Sequence, residues 1–228
     1  MFIGHFGVGL GAKKADPKIS LGTLFMAAQF IDLLWPLFLL LGLERVEIDP
    51  GNTAFTPLDF IYYPFTHSLL GVLFWAVLFG LVFFGIRKNG KGALLLGGLV
   101  LSHWFLDLIV HRPDLPLLPW SSLKTGLGLW NSIALTLLVE TLIFVAGVFL
   151  YVKVTRAKNR AGSLGLWGLL IFLVLVYIMS IFGPPPEAAE PIAMVGLLQW
   201  LLVLWAYWVD RNRNPQYVSD SGKGSQGE

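Results

Sequence analysis

The chain has 228 residues, 56% of them hydrophobic and 13% charged, with mean hydropathy +0.71, a net charge of +2 and no cysteine. A soluble domain carries about 25% charged residues, so this composition excludes a soluble globule and points to an integral membrane protein. The lack of cysteine excludes a disulfide framework and a zinc-thiolate site, so any bound metal has to be held by His, Asp or Glu.

Residues 1–11 are apolar and glycine-rich, and too short to cross a bilayer, which takes about 20 residues; they read as a half-length helix ending at Lys13 and Lys14. A first full span is expected over about residues 20–42, with Asp32 inside it and Pro36 kinking its outer part. Residues 43–65 form a polar-apolar connection with a strong turn signal at Asp49-Pro50-Gly51-Asn52 and room for a short interfacial helix. Further spans are expected over about 66–86, 92–111, 130–152, 164–182 and 191–209. Pro113, Pro116 and Pro119 break any helix in the loop 112–129, and Pro184-Pro185-Pro186 makes a stiff turn. The fold class is therefore all-α: six transmembrane helices and an N-terminal half-helix in one polytopic domain over residues 1–213, followed by a polar, disordered tail over 214–228.

Charge sets the expected orientation. Thirteen of the 16 Lys and Arg flank one side of these spans, and only Arg45, Arg112 and Lys124 flank the other. The positive-inside rule makes the richer side cytoplasmic, which puts both termini inside and the protein in a plasma (inner) membrane. Trp35, Trp120 and Trp130 then mark the outer interface and Trp167, Trp205 and Trp208 the inner one. Phe60, Tyr62, Tyr63 and Trp120 are expected to line an outer mouth. The glycines at 7, 9 and 11 do not follow a strand and read as helix-packing positions rather than a phosphate loop.

Within the expected span 92–111, His103, Asp107 and His111 recur at i, i+4 and i+8, inside an arc of about 80° on one helix face. Ionisable residues within a membrane are costly and face a bundle interior or a cavity. Asp32, His103 and Glu140 fall near mid-membrane, Asp107 a turn further out, and His67 and His111 near the outer edge. His5 reaches toward the same depth if residues 1–11 are helical. Taken singly, His5 could sit at an interface, Asp32 could cap a break, His67 could begin a helix and Glu140 could bond a neighbouring helix. His111 reads as a supporting or surface residue. Taken together, His5, Asp32, His67, His103 and Asp107 are candidate ligands of one divalent metal, Zn²⁺ first and Mn²⁺ second, with Asp107 or Glu140 as general base.

The order Gly4-His5, Asp32, Thr66-His67-Ser68 and His103-x-x-x-Asp107 resembles the predicted membrane-bound metal-dependent hydrolases of bacteria, which are distantly similar to zinc-dependent phospholipase C. The likeness covers residues 1–112. The chain has Phe30 where that pattern has the first Asp of Asp-x-Asp, and Tyr62-Tyr63-Pro64 where it has His-Arg-Gly, so two ligands of a two-metal centre are missing. The resemblance implies a hydrolase acting on a lipid or phosphoester from the outer side, with membrane lipids as its partners and no nucleic acid. Two other classes fit the same polar residues: a proton- or ion-coupled transporter using them as a relay, and a non-catalytic membrane protein whose cluster locks helices together.

Overall fold

The structure is a computed structural model in which residues 1–216 are described. It is an all-α bundle. Helix α1 (Ile3–Ala12) is the half-length N-terminal helix, and it runs through the interior: seven of its ten residues are buried. Helices α2 (Leu21–Ala28) and α3 (Phe30–Leu40) follow. Next come a hairpin of β1 (Arg45–Ile48) and β2 (Leu58–Tyr62), the single turn α4 (Pro64–His67), and the long helices α5 (Leu69–Arg87) and α6 (Gly90–Val110). Two paired residues on each side, β3 (Leu115–Pro116) and β4 (Lys124–Thr125), and a 3₁₀ turn at Leu129–Asn131 lead into α7 (Ile133–Val154). Strand β5 (Thr155–Ala157), α8 (Arg160–Phe182), α9 (Ala189–Leu197), α10 (Gln199–Arg211) and β6 (Arg213–Pro215) complete the described chain.

Five helical segments are long and apolar enough to cross a membrane, with α9 and α10 acting as one, and a sixth span results if α2 and α3 are counted together. That pair is bent by 55°. The break lies at Gln29, seven residues before the expected kink at Pro36, which is carried inside α3. The break has a direct consequence: it frees the Ala28 carbonyl, and His103 of α6 takes it at 3.0 Å through Nδ1.

Two further expectations are refined. The connection expected over 43–65 is mostly a β-hairpin, and the short helix in it is the single turn α4, which begins only at Pro64. The sequence Asp49-Pro50-Gly51-Asn52 closes a turn in which Gly51 has φ +101° and the Asn52 N–H donates to the Asp49 carbonyl at 2.9 Å. Proline at the second position and a left-handed glycine at the third are the requirements of a type II turn, and this one joins β1 to β2. The expected tail boundary at 214 also moves. Residues 213–215 pair antiparallel with 155–157, and the buried Arg213 guanidinium donates to the Thr155 side chain and to the Gly162 carbonyl. The expected disorder of the remaining tail concerns residues 217–228, which lie outside the described residues.

Glycine sets how closely α1 can pack. A Cβ on Gly7 would meet the backbone of Ile143 and Phe144, and one on Gly147 would fall on the Gly7 carbonyl. Helices α1 and α7 therefore touch backbone to backbone, as small residues permit in membrane bundles. At the opposite face Gly9 fits against Phe25 and Ala28 of α2. The far end of α1 is locked by Lys13. It is 2% exposed, and its Nζ donates to the Ile19 carbonyl at 2.8 Å and to both Asp210 oxygens of α10, at 2.8 and 3.0 Å. Two apolar clusters flank α1, one around Ile31, Leu96 and Val100 and one around Leu10, Leu169 and Leu173. His5, Asp32, His67, His103 and Asp107 sit where α1, the α2–α3 break, α4 and α6 meet.

Candidate metal centre

Four segments each deliver one or two polar side chains to the same place. Helix α6 supplies His103 and Asp107 from one face, one turn apart. The bend at Gln29 aims Asp32, in the first turn of α3, inward. His67 arrives on α4 because Pro64 starts that turn and Ser68, with extended backbone (ψ 148°), ends it. Ser68 then caps α5 by accepting from the Gly71 N–H at 3.0 Å. His5 comes from the buried α1.

The result is a compact arrangement. His103 Nε2 lies 3.1 Å from Asp107 Oδ2 and 3.5 Å from Asp32 Oδ1. His67 Nε2 lies 3.5 Å from Asp32 Oδ1 and 3.9 Å from Asp107 Oδ2. His5 stacks on His103 with ring centroids 3.7 Å apart, and its Nε2 is 3.1 Å from Asp107 Oδ1. The Met1 amine also reaches Asp107 Oδ1, at 2.6 Å.

All five expected ligands therefore come together, though as two fused groups and not as one round shell. His5, His103 and Asp107 form the first, and Asp32, His67 and His103 the second. Within each group the ligand atoms lie within 4.8 Å of one another. The reason is that the two Asp107 oxygens face different ways, Oδ1 toward His5 and Oδ2 toward His103 and His67. The groups also differ in access. His5 and His103 are sealed, whereas the Asp32 side chain is 21% exposed. It opens with His67, Asp107 and His111 onto a cavity of about 210 Å³ walled by Trp35, Phe55, Phe60 and Trp130.

Neighbouring hydrogen bonds fix which ring nitrogen His103 and His67 present. Ala28 O can only accept, so His103 Nδ1 carries a proton. Its Nε2 faces the two carboxylates, yet makes no hydrogen bond of acceptable geometry despite the 3.1 Å approach. His67 is set by a chain of two bonds. Buried Glu44 accepts from the Phe65 and Thr66 N–H groups, both at 2.8 Å, and from the Thr66 hydroxyl at 2.6 Å. With its hydrogen committed there, Thr66 Oγ1 accepts from His67 Nδ1 at 2.7 Å. Both rings thus present Nε2 to the carboxylates, the outer-shell pattern found around metal-bound histidine. Burial raises the Glu44 carboxyl, and the nearby His67 and the bonds from Thr66 and Phe65 only partly offset this.

Glu140 is brought inside the bundle but not into this donor set. Its Oε2 accepts from the Phe2 and Gly4 N–H groups at 2.8 and 3.1 Å. That oxygen caps the N-terminus of α1, where free N–H groups and the helix dipole favour an acceptor. His111 ends α6 and is buried, as a supporting residue should be. Its Nδ1 lies 2.9 Å from Asp114 Oδ1, which also accepts from the Tyr63 hydroxyl at 3.0 Å. Arg112 bonds both Asp114 and Asp59. Burial raises the Asp114 carboxyl, but its bonds to His111, Tyr63 and Arg112 outweigh this and hold it below the ordinary carboxylate value. The expected outer mouth is half right. Phe60 walls the cavity and Tyr63 packs on the His67 ring, but Tyr62 and Trp120 are 48% and 76% exposed and take no part in the cavity wall. Trp35, Phe55 and Trp130 stand there instead.

Glu44, Thr66 and Asp114 were not picked out as site residues in the sequence. The available signal was Thr66 beside His67; Glu44 is remote in sequence and reaches Thr66 only because the β1–β2 hairpin returns the chain.

A family model described as YdjM inner membrane protein matches residues 48–184, more than half of the chain. The chain belongs to the YdjM inner membrane protein family. The resemblance to the membrane-bound metal-dependent hydrolases, and through them to phospholipase C, is corrected by this match, because the family model that fits is not one of a hydrolase. No curated protein and no solved structure matches the chain. Family and apolar helices together make it an integral membrane protein of an inner membrane.

Proposed function

We propose that this YdjM-family protein is a membrane-embedded metalloenzyme that hydrolyses a lipid or phosphoester at a centre built from Asp32, His67 and His103, with Asp107 beside it. The observation that carries the reading is the pair of oriented rings. His103 and His67 both spend Nδ1 on an acceptor and present Nε2 to two carboxylates. Such a converging set is bridged by protons or by a divalent cation, and a cation also accounts for His103 Nε2, which lies 3.1 Å from Asp107 without a hydrogen bond of acceptable geometry. Two histidines and one carboxylate with access to water are one of the known catalytic zinc sets, and a metal held there would supply a water activated as nucleophile near neutral pH. Zn²⁺ fits the nitrogen-rich set best, and Mn²⁺ is favoured if Asp107 binds as well. His5, stacked on His103 and bonded to Asp107, holds both from the sealed side. The cavity is lined by residues of the 43–63 connection and the end of α8, away from Lys18, Arg87 and Arg211, and the positive-inside rule supports a mouth on the outer side with both termini cytoplasmic.

The test is hydrolysis of labelled phospholipid vesicles by purified protein in detergent, with chelator, and with chelator followed by Zn²⁺ or Mn²⁺. Activity that chelator abolishes and metal restores, and that His67→Ala lacks, supports the reading. A metal-free protein that instead carries protons across vesicles, with loss in Asp32→Asn, would replace it with a relay.

A further inference from the structure

A second cavity lies at the opposite, basic end of the bundle, between α2, α5 and α10. It has a volume of about 620 Å³, well within the range of ligand sites. Its rim carries Lys18, Arg87 and Arg211, all exposed. Among the described residues none of the three lies within 4.0 Å of a carboxylate: the ion pairs at this end join Lys13 to Asp210. Asp210 also borders the cavity, but its charge is answered by Lys13. Asp16 faces Asn89 at 3.4 Å and is the other acid nearby, so positive charge remains in excess at the rim.

Beside the cations, at the start of α2, runs a chain of hydroxyls. Ser20 Oγ and Thr23 Oγ1 are 2.9 Å apart, and Thr23 Oγ1 and the Tyr207 hydroxyl 2.8 Å. The wall changes character with depth. Met26 lies five residues into α2 and Phe83 four residues before Arg87, which at about 1.5 Å per residue puts both roughly 6 to 8 Å deeper than the cationic rim. A cationic and hydroxylated rim above an apolar wall, at the end of membrane-spanning helices, matches one kind of molecule from head to tail.

We propose that this groove binds an anionic phospholipid, its phosphate between Lys18, Arg87 and Arg211 and its acyl chain along Met26 and Phe83. Basic pockets between transmembrane helices are known places for such headgroups. A free phosphate shares the headgroup chemistry but has no use for the deeper wall. The site is independent of the metal centre.

Native mass spectrometry in detergent tests it, with phosphatidylglycerol, phosphatidylcholine and inorganic phosphate as probes. Wild type should retain phosphatidylglycerol in preference to phosphatidylcholine. The variant Lys18→Gln/Arg87→Gln/Arg211→Gln should lose more than about tenfold in affinity for it, given that each basic residue near a lipid surface contributes measurably. A control with Lys14, Lys153 and Arg156 changed to Gln, exposed cations outside the groove, should keep wild-type affinity. Equal loss in the control would show generic charge attraction and overturn the site, as would unchanged binding in the groove variant. Saturation by inorganic phosphate that displaces the lipid headgroup without any lipid preference would reassign the groove to a soluble phosphate.

Discussion

Thr66→Val is the sharpest perturbation of the arrangement around His67. Valine keeps the shape of threonine and removes only the hydroxyl, which donates to Glu44 Oε2 at 2.6 Å and accepts from His67 Nδ1 at 2.7 Å. Two effects follow, of different size. The lost hydrogen bond to a carboxylate costs stability of about 1.5–3 kcal/mol, softened because Glu44 keeps the Phe65 and Thr66 N–H groups. The metal effect is separate. Loss of an outer-shell partner of a ligating histidine lowers metal affinity by about 10–100-fold, because the ring is free to turn and its tautomer is no longer set. Competition of purified protein against a fluorescent zinc chelator measures this directly, with thermal unfolding of the metal-free forms as the control for folding. Thr66→Ser, which keeps the hydroxyl, should bind as wild type does. A Thr66→Val protein that is destabilised but binds zinc within about twofold of wild type would refute the role given to the Glu44–Thr66–His67 chain.

Three other outcomes follow from the fold. Gly147→Ala should lower stability by about 1–3 kcal/mol, since the new Cβ falls on the Gly7 carbonyl, whereas Gly98→Ala, with nothing within 4 Å, should be neutral or stabilising; equal thermal shifts for the two would contradict the close docking of α1. Asp114 is held below the ordinary carboxylate value in the folded protein, so its stabilising share should be complete above that value and disappear as pH falls through the lower, folded one. Acid unfolding of Asp114→Asn should lack that limb, and an unchanged acid profile would remove the Tyr63–His111–Asp114 contacts from the account. For orientation, the cysteine-free chain allows single labels: Ser122→Cys should react with an impermeant thiol reagent from outside intact cells and Arg156→Cys should not, and the opposite pattern would invert the bundle.

Much of this was legible in the sequence, for physical reasons. Helix ends in a membrane protein are set by hydropathy and charge, so the long helices fall within a few residues of the expected spans. The i, i+4 spacing alone put His103 and Asp107 on one face. Harder to read was how the chain departs from straight helices. The bend at Gln29 leaves the Ala28 carbonyl to a ring 75 residues away, while Pro36, the obvious breaker, is tolerated inside α3. Glu140 looked chemical because a lone carboxylate in an apolar run is costly. What engages its Oε2 is the backbone N–H of Phe2 and of Gly4, and no local pattern announces a contact of that range. Glu44 escaped notice for the same reason, since its role depends on the hairpin that returns it to α4.

The central claim is that Asp32, His67 and His103 hold a divalent metal. Elemental analysis of protein purified without chelator, read per chain, tests it most directly. The account predicts one zinc or manganese per chain in wild type and its loss in His103→Ala and in His67→Ala, with thermal unfolding showing that both variants remain folded. A folded wild-type protein that carries no divalent metal, and takes none up from buffered Zn²⁺ or Mn²⁺, would contradict it and leave the cluster as a histidine–carboxylate network that ties α1, α3, α4 and α6 together.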